Sequence, residues 1–203
     1  MERNVYKEIE DRLIIRTAHI KQTQLEVGVD SYSPAVAQIV ATADNAGPPA
    51  DYNCLAMIGS SKRGTISLRL FARADYENAR FLAVGFQAQG CLALIAAASM
   101  AAHLCENRSW KQALSIRVDD LMAVLGSLPN DKRHVPFFAV EAIRALVGDC
   151  LVHADQSRAF IEDYVGCDDT MLECMLCEHC SLRTLRNQLR YLEMQSAQAV
   201  KTA

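Results

Sequence analysis

The chain has 203 residues, 51% of them hydrophobic and 22% charged, with a formal net charge of −3. That length allows about 70% of the unfolded surface to be buried on folding, and the composition excludes a disordered or collagen-like chain. The slight acidity argues against nucleic acid as the main partner; the longest largely apolar run, Leu92 to Ala102, is about half of the roughly 20 residues a bilayer crossing needs, so no membrane span is expected.

The first 25 residues carry interspersed charges and no apolar h-region, which predicts no signal peptide and a cytoplasmic location. In a reducing cytosol the eight cysteines are expected as metal ligands or reactive thiols rather than disulfides. Residues 1–30 read as an N-terminal extension able to pack on a neighbour. From Tyr32 a short helical pattern through Val36, Ile39 and Val40 ends at Asn45-Ala46-Gly47-Pro48-Pro49, a strong stop signal. Cys54 to Ile58 is a short apolar run, Thr65 to Leu70 alternates apolar with polar residues, Asp75-Tyr76-Glu77-Asn78 supplies a turn, and Ala79 to Phe86 is a further strand. Three consecutive short strands predict an antiparallel meander.

After Gly90 the pattern becomes helical. Leu92 to Leu104 is alanine-rich and apolar around most of its circumference, the mark of a buried central helix. Ser109 and Gln112 fit a capping box, with Trp110 as core packing just inside the helix start, and Asp119 to Leu125 forms another short helix. Pro136 suits the first turn of a helix through Val140, Ile143 and Val147, with Gly148 placed to stop it. The predicted fold class is therefore α+β, a three-stranded antiparallel sheet packed by helices over residues 31–149, followed by a helical cysteine-rich module over 150–203.

That module is chemically distinct. Asp149 to Cys180 contains eight acids against one Arg, and five of the eight cysteines. Cys174-Met175-Leu176-Cys177-Glu178-His179-Cys180 is a C-x2-C-x2-C run, with Cys167 or Cys150 available as a fourth ligand. Two-residue gaps let a compact loop or one helical turn point successive sulfurs inward, the first part of the bacterial ferredoxin spacing. A cation or iron cluster would relieve the repulsion among clustered thiolates and carboxylates; zinc, held by four thiolates or by three with His179, is the alternative. A final helix capped by Ser181 carries the apolar stripe Leu182, Leu185, Leu189 and Leu192.

Six segments in fixed order are similar to the U-type iron–sulfur cluster assembly scaffolds, the IscU and NifU N-terminal family. They are Tyr32-Ser33-Pro34 leading to Asn45-Ala46-Gly47; Asn78-Ala79-Arg80-Phe81; Gly90-Cys91 through Ser99; Ser109 through Ile116; Leu128-Pro129; and Lys132-Arg133-His134 followed by Glu141-Ala142-Ile143. The resemblance implies the NifU N-terminal/SufE-like fold, a non-enzymatic role in which a nascent cluster is held on three cysteines helped by an aspartate and a histidine, and a cysteine desulfurase and acceptor apoproteins as partners. It places the second family cysteine at Cys91 and the histidine at His134. Arg63, in Lys62-Arg63-Gly64-Thr65, stands at the first cysteine, the aspartate is lost with that motif, and Val135 stands at the third cysteine. One thiolate and one imidazole fall short of the four ligands of a closed site.

These readings give Cys167, Cys174, Cys177 and Cys180 as cluster ligands and Cys91, His134 and Cys150 as further metal ligands. Cys91, opening the apolar helix after Gly90, is expected to lie by backbone N–H groups that favour its thiolate. Cys105, about 21 Å further along the same helix, is read as structural; Cys54 lies just before the first family ligand position, and His103 and His153 lack partners at ligand spacing. The expected function is cluster assembly or transfer by a divergent scaffold or carrier. Two alternatives are a structural or regulatory subunit, homo- or hetero-oligomeric, whose tail metal is a staple, and a thiol redox protein using Cys174 and Cys177. The sequence offers no phosphate-binding loop, nucleophile elbow or HExxH pair for an enzyme of those classes.

Overall fold

The computed structural model describes residues 18–22, 32–58, 66–165, 191–192 and 194. Ser33 opens the first helix, α1 (Pro34–Ala41): its Oγ accepts from the Val36 amide at 3.4 Å and Pro34 occupies the first turn. Ser33 also donates through Oγ to the Leu125 carbonyl and through its backbone N–H to that of Ser127. Tyr32-Ser33-Pro34 thereby ties α1 to the end of α4 (Val118–Leu125). Gly126 makes this approach possible, with φ +71° and an added Cβ 3.0 Å from the Ser33 Cβ.

The sheet has four strands, not the three expected, in the order β1-β4-β3-β2. β2 (Cys54–Ile58), β3 (Leu68–Asp75) and β4 (Arg80–Gly90) form the antiparallel meander, with Cys54 opposite Ala72 and Leu68 opposite Ala88. The fourth strand, β1 (Ile20–Gln22), comes from the N-terminal extension and pairs parallel with β4, Gln22 opposite Gly90. Residues 1–30 are thus not wholly an appendage. A three-residue strand with one buried aliphatic side chain, Ile20, has no periodicity of its own to read, because the partner strand supplies its pairing. The β3–β4 turn is closed by Asp75, whose carboxylate accepts from the Asn78 backbone and side chain at 3.1 and 2.8 Å. These bonds hold its carboxyl below the usual range.

α2 (Leu92–Cys105) is the central helix the sequence predicts, with Leu92, Ile95 and the alanines at 93, 96, 97, 98, 101 and 102 buried. Full burial of a Leu or Ile contributes about 1.5–3 kcal/mol, and the alanines let neighbouring elements approach closely. It packs on β4 and beside α5 (Val135–His153), which covers β2 and β3. The turn at Asn45-Ala46-Gly47 lies on β4: Gly47 donates to the Phe86 carbonyl at 2.7 Å and Phe86 donates to that of Asn45 at 3.2 Å. Asn45 exchanges two hydrogen bonds with the buried Ser99 of α2, donating to its carbonyl at 2.8 Å and accepting from its Oγ at 2.9 Å. Between α2 and α4, α3 (Trp110–Leu114) starts at the predicted Ser109–Gln112 capping box, and buried Trp110 meets Tyr76 edge to face.

Gly148 does not stop α5. The helix runs on to His153 and is followed by α6 (Arg158–Val165), which packs on it through Ile161 and Val165. A helix-interior glycine costs about 1 kcal/mol, less than is gained by burying Leu146, Val147, Cys150 and Leu151 around it. The boundary read at 149 therefore falls inside a helix. Among the described residues no helix is long and apolar enough to cross a membrane.

Burial raises the carboxyl pKa of Glu141 on α5, against the opposing pull of Arg144, whose Nη1 lies 2.8 Å away. The folded state therefore holds this proton more tightly than the unfolded chain. The associated stability is present below the unfolded pKa and lost as pH rises through the folded one. Glu141→Gln is accordingly expected to raise the melting temperature at pH 7 by about 1–3 °C and to leave it unchanged at a pH below the ordinary glutamate pKa, as measured by thermal melts at both.

Candidate cluster and metal-ligand sites

Cys91 sits where β4 gives way to α2, as the N-cap residue; its carbonyl accepts from the amides of Leu94 and Ile95 at 3.1 and 3.2 Å, and its side chain makes no capping bond. It is buried and outside any disulfide. The end of β1 runs alongside, so Gln22, also buried, borders this corner, a neighbour invisible to sequence reasoning. Cys105, at the far end of α2, is fully enclosed, and burial pushes its thiol up to about 12. A thiol with that pKa is ionised to only about one part in 10⁵ at pH 7. Neutral iodoacetamide is therefore expected to label Cys91 at least tenfold faster than Cys105 in the native chain, on the order set by thiolate access, with the label located by peptide fragmentation; equal rates would remove the distinction between them.

His134 is exposed at the start of α5, its ring edge to face with Phe138 at 5.7 Å. Val135, the next residue, is 4% exposed, packed into the core as the first residue of the helix. A hydrocarbon side chain turned into the core offers no ligand, and among the described residues neither Cys91 nor His134 belongs to a group of three or more ligand-type side chains. Arg63 and the cysteines at 167, 174, 177 and 180 lie outside the described residues.

The described ligand-type residues converge elsewhere. Cys150, read as a candidate fourth tail ligand, lies on α5 with no exposed surface and is joined by a disulfide to Cys54 of β2, the Cα atoms 5.7 Å apart. This departs from the expectation of free thiols: β2 turns Cys54 toward the helix that covers it, and the spacing suits a disulfide. A sulfur bonded to Cys54 is not a ligand for the tail. Asp149 is 6% exposed, and its Oδ2 accepts from the Leu55 amide at 2.7 Å. Burial raises its carboxyl pKa, opposed by the Leu55 bond and by His153. His153 places Nδ1 2.8 Å from the Asp149 carbonyl oxygen and 3.7 Å from Oδ2. His103, for its part, meets the exposed Asp44 at 3.2 Å. The signal that could have found the second group is the spacing Asp149, Cys150, His153, which shares one helical face, but it is legible only if the helix continues past Gly148.

These observations define an α+β domain with a cysteine-initiated central helix and a histidine at the head of the long helix. The chain matches the NifU-like N terminal domain over residues 31–155 and belongs to that family. Over 118 residues, 58% of the chain, it is 31% identical to a protein named nitrogen fixation protein NifU from Azotobacter chroococcum. Over 66 residues, 32% of the chain, it is 36% identical to a protein of Archaeoglobus fulgidus named iron-sulfur cluster assembly scaffold protein IscU 1. The matched stretches span only 38% and 43% of those relatives. A solved structure from Fervidobacterium islandicum, titled a putative iron-sulfur cluster assembly scaffold protein for the SUF system, superposes with a TM-score of 0.48 at 9% identity, covering 60% of this chain and 99% of that one.

Proposed function

We propose that the chain is a divergent iron–sulfur cluster assembly or transfer protein, whose cluster is cargo held by Cys167, Cys174, Cys177 and Cys180. The observation that carries this reading is Val135: within a family whose relatives are named as cluster scaffolds, the position after His134 is a buried aliphatic side chain. Cys91 and His134 then supply two ligands where a closed cluster site takes four, while the tail carries a C-x2-C-x2-C run with a further cysteine upstream. In this role the folded domain docks a cysteine desulfurase and acceptor apoproteins, the Cys91 thiolate takes the outer sulfur of the desulfurase persulfide, whose own cysteine leaves as thiolate, or lends a transient ligand, and the tail thiolates bind the cluster. No small substrate is turned over, so the protein is not an enzyme, and its setting is the cytoplasm.

The test is transfer. Loaded with ferric iron, a thiol reductant and sulfide without oxygen, the chain is expected to convert an apo-ferredoxin to its cluster form in the presence of an iron chelator, which removes the route through free iron. The same replaced ligands also favour a structural subunit that docks on a larger complex and keeps its tail metal as a staple. A loaded chain that never gives up its metal would establish that second reading.

A further inference from the structure

Cys54, on the face of β2 turned toward α5, meets Asp149 and His153 of the run Asp149-Cys150-x-x-His153 on that helix, and Cys150 of the same run is bonded to Cys54. The Cys54 sulfur, an Asp149 carboxylate oxygen and an imidazole nitrogen of His153 all lie within 4.8 Å of one another, and the Cys150 sulfur is bonded to that of Cys54. Asp149 is fixed by the Leu55 amide at 2.7 Å, and His153 lies one helical turn on, its Nδ1 2.8 Å from the Asp149 carbonyl oxygen and 3.7 Å from Oδ2. Tyr76 Oη lies 3.4 Å from the Cys54 sulfur and donates to the Asn53 carbonyl. The sulfurs and the carboxylate are buried while His153 reaches solvent, which gives an ion its way in. Cys150 follows His134 by about 24 Å along α5, so this group is separate from His134 at the head of that helix, and Cys91 opens a different helix, α2.

Two thiolates, one imidazole and one carboxylate form a closed four-ligand set for a zinc-class divalent ion, sulfur and nitrogen favouring zinc or cobalt over magnesium or calcium. In the disulfide both sulfurs are bonded to each other. We propose that Cys54, Asp149, Cys150 and His153 form a thiol-gated site for a zinc-class divalent cation, closed as the disulfide and opened by a dithiol reductant. In the opening step the Cys54–Cys150 bond breaks, the reductant forms its own disulfide, and two electrons and two protons pass to the cysteines. Binding of the ion then releases both thiol protons to water.

The test uses the full-length chain with Cys167, Cys174, Cys177 and Cys180 replaced by serine, so that tail thiolates do not compete, titrated with cobalt(II) after treatment with a dithiol or with an oxidant. The dithiol-treated chain is expected to take up one cobalt with the intense ligand-field bands of a tetrahedral thiolate site, and the oxidised chain none. Cys150→Ser should cut the sulfur-to-cobalt band. His153→Ala, at an exposed position that leaves the core intact, should weaken binding at least tenfold, no less than loss of an outer partner would. A reduced, folded chain that binds no cobalt, equal uptake by both forms, or unchanged affinity in His153→Ala would overturn the proposal.

Discussion

Cys177→Ser is expected to leave the protein without an iron–sulfur cluster, while Cys91→Ser keeps it. Cys177 is the middle cysteine of the tail run, so its loss breaks both two-residue gaps at once and leaves Cys174 and Cys180 with five residues between them. A serine hydroxyl stays protonated at neutral pH and is a hard donor where iron and sulfide favour thiolates. The loss should exceed the roughly 10–100-fold that removing an outer-shell partner costs a metal site. Cys91 has Val135 beside its expected partner His134, and that side chain is packed into the core. Iron and sulfide per chain after anaerobic reconstitution of each variant read the difference, and the reverse pattern would return the cluster to the folded domain.

The second large effect concerns the fold. A Cβ at Gly85 would run into the Gly47 carbonyl oxygen, with the Pro49 Cδ at 3.1 Å and the Asn45 carbonyl at 3.2 Å beyond it. The obstacle is backbone, pinned by the Gly47 to Phe86 bond and by the Asn45–Ser99 pair, so relief requires peeling the Asn45–Gly47 turn from β4. Gly85→Ala is therefore expected to destabilise the domain by about 3 kcal/mol, a fall in Tm of roughly 6–12 °C. Gly90→Ala is the contrast. Its Cβ would meet the tip of the Leu94 side chain at 2.8 Å, which can rotate away, so the loss should be smaller. A Tm for Gly85→Ala no lower than that of Gly90→Ala would show that the turn yields.

Local chemistry made part of this molecule legible in its sequence. The alanine-rich run of α2, the Ser109–Gln112 box and the proline at the head of α5 each report their own conformation, and each is where it was expected. β1 was not legible, because Ile20-Lys21-Gln22 becomes a strand only through the hydrogen bonds of β4. Gly148 was misread because its helix-breaking tendency is local, whereas the burial that overrides it is tertiary. The Cys54–Cys150 link joins residues 96 apart, a distance no motif spans. The same loss hid Asp149 and His153 as neighbours of Cys54. The family itself was readable because its segments are contiguous and in fixed order, and Val135, which the resemblance sets at a family cysteine, is packed in the core.

Purification of the full chain without oxygen, followed by its visible spectrum and its iron, acid-labile sulfide and zinc per chain, tests the central claim most directly. The account predicts absorbance in the thiolate-to-iron charge-transfer region with iron and sulfide in matching amounts. A colourless protein carrying zinc without iron or sulfide, or no metal at all, would contradict it and favour the docking-subunit reading.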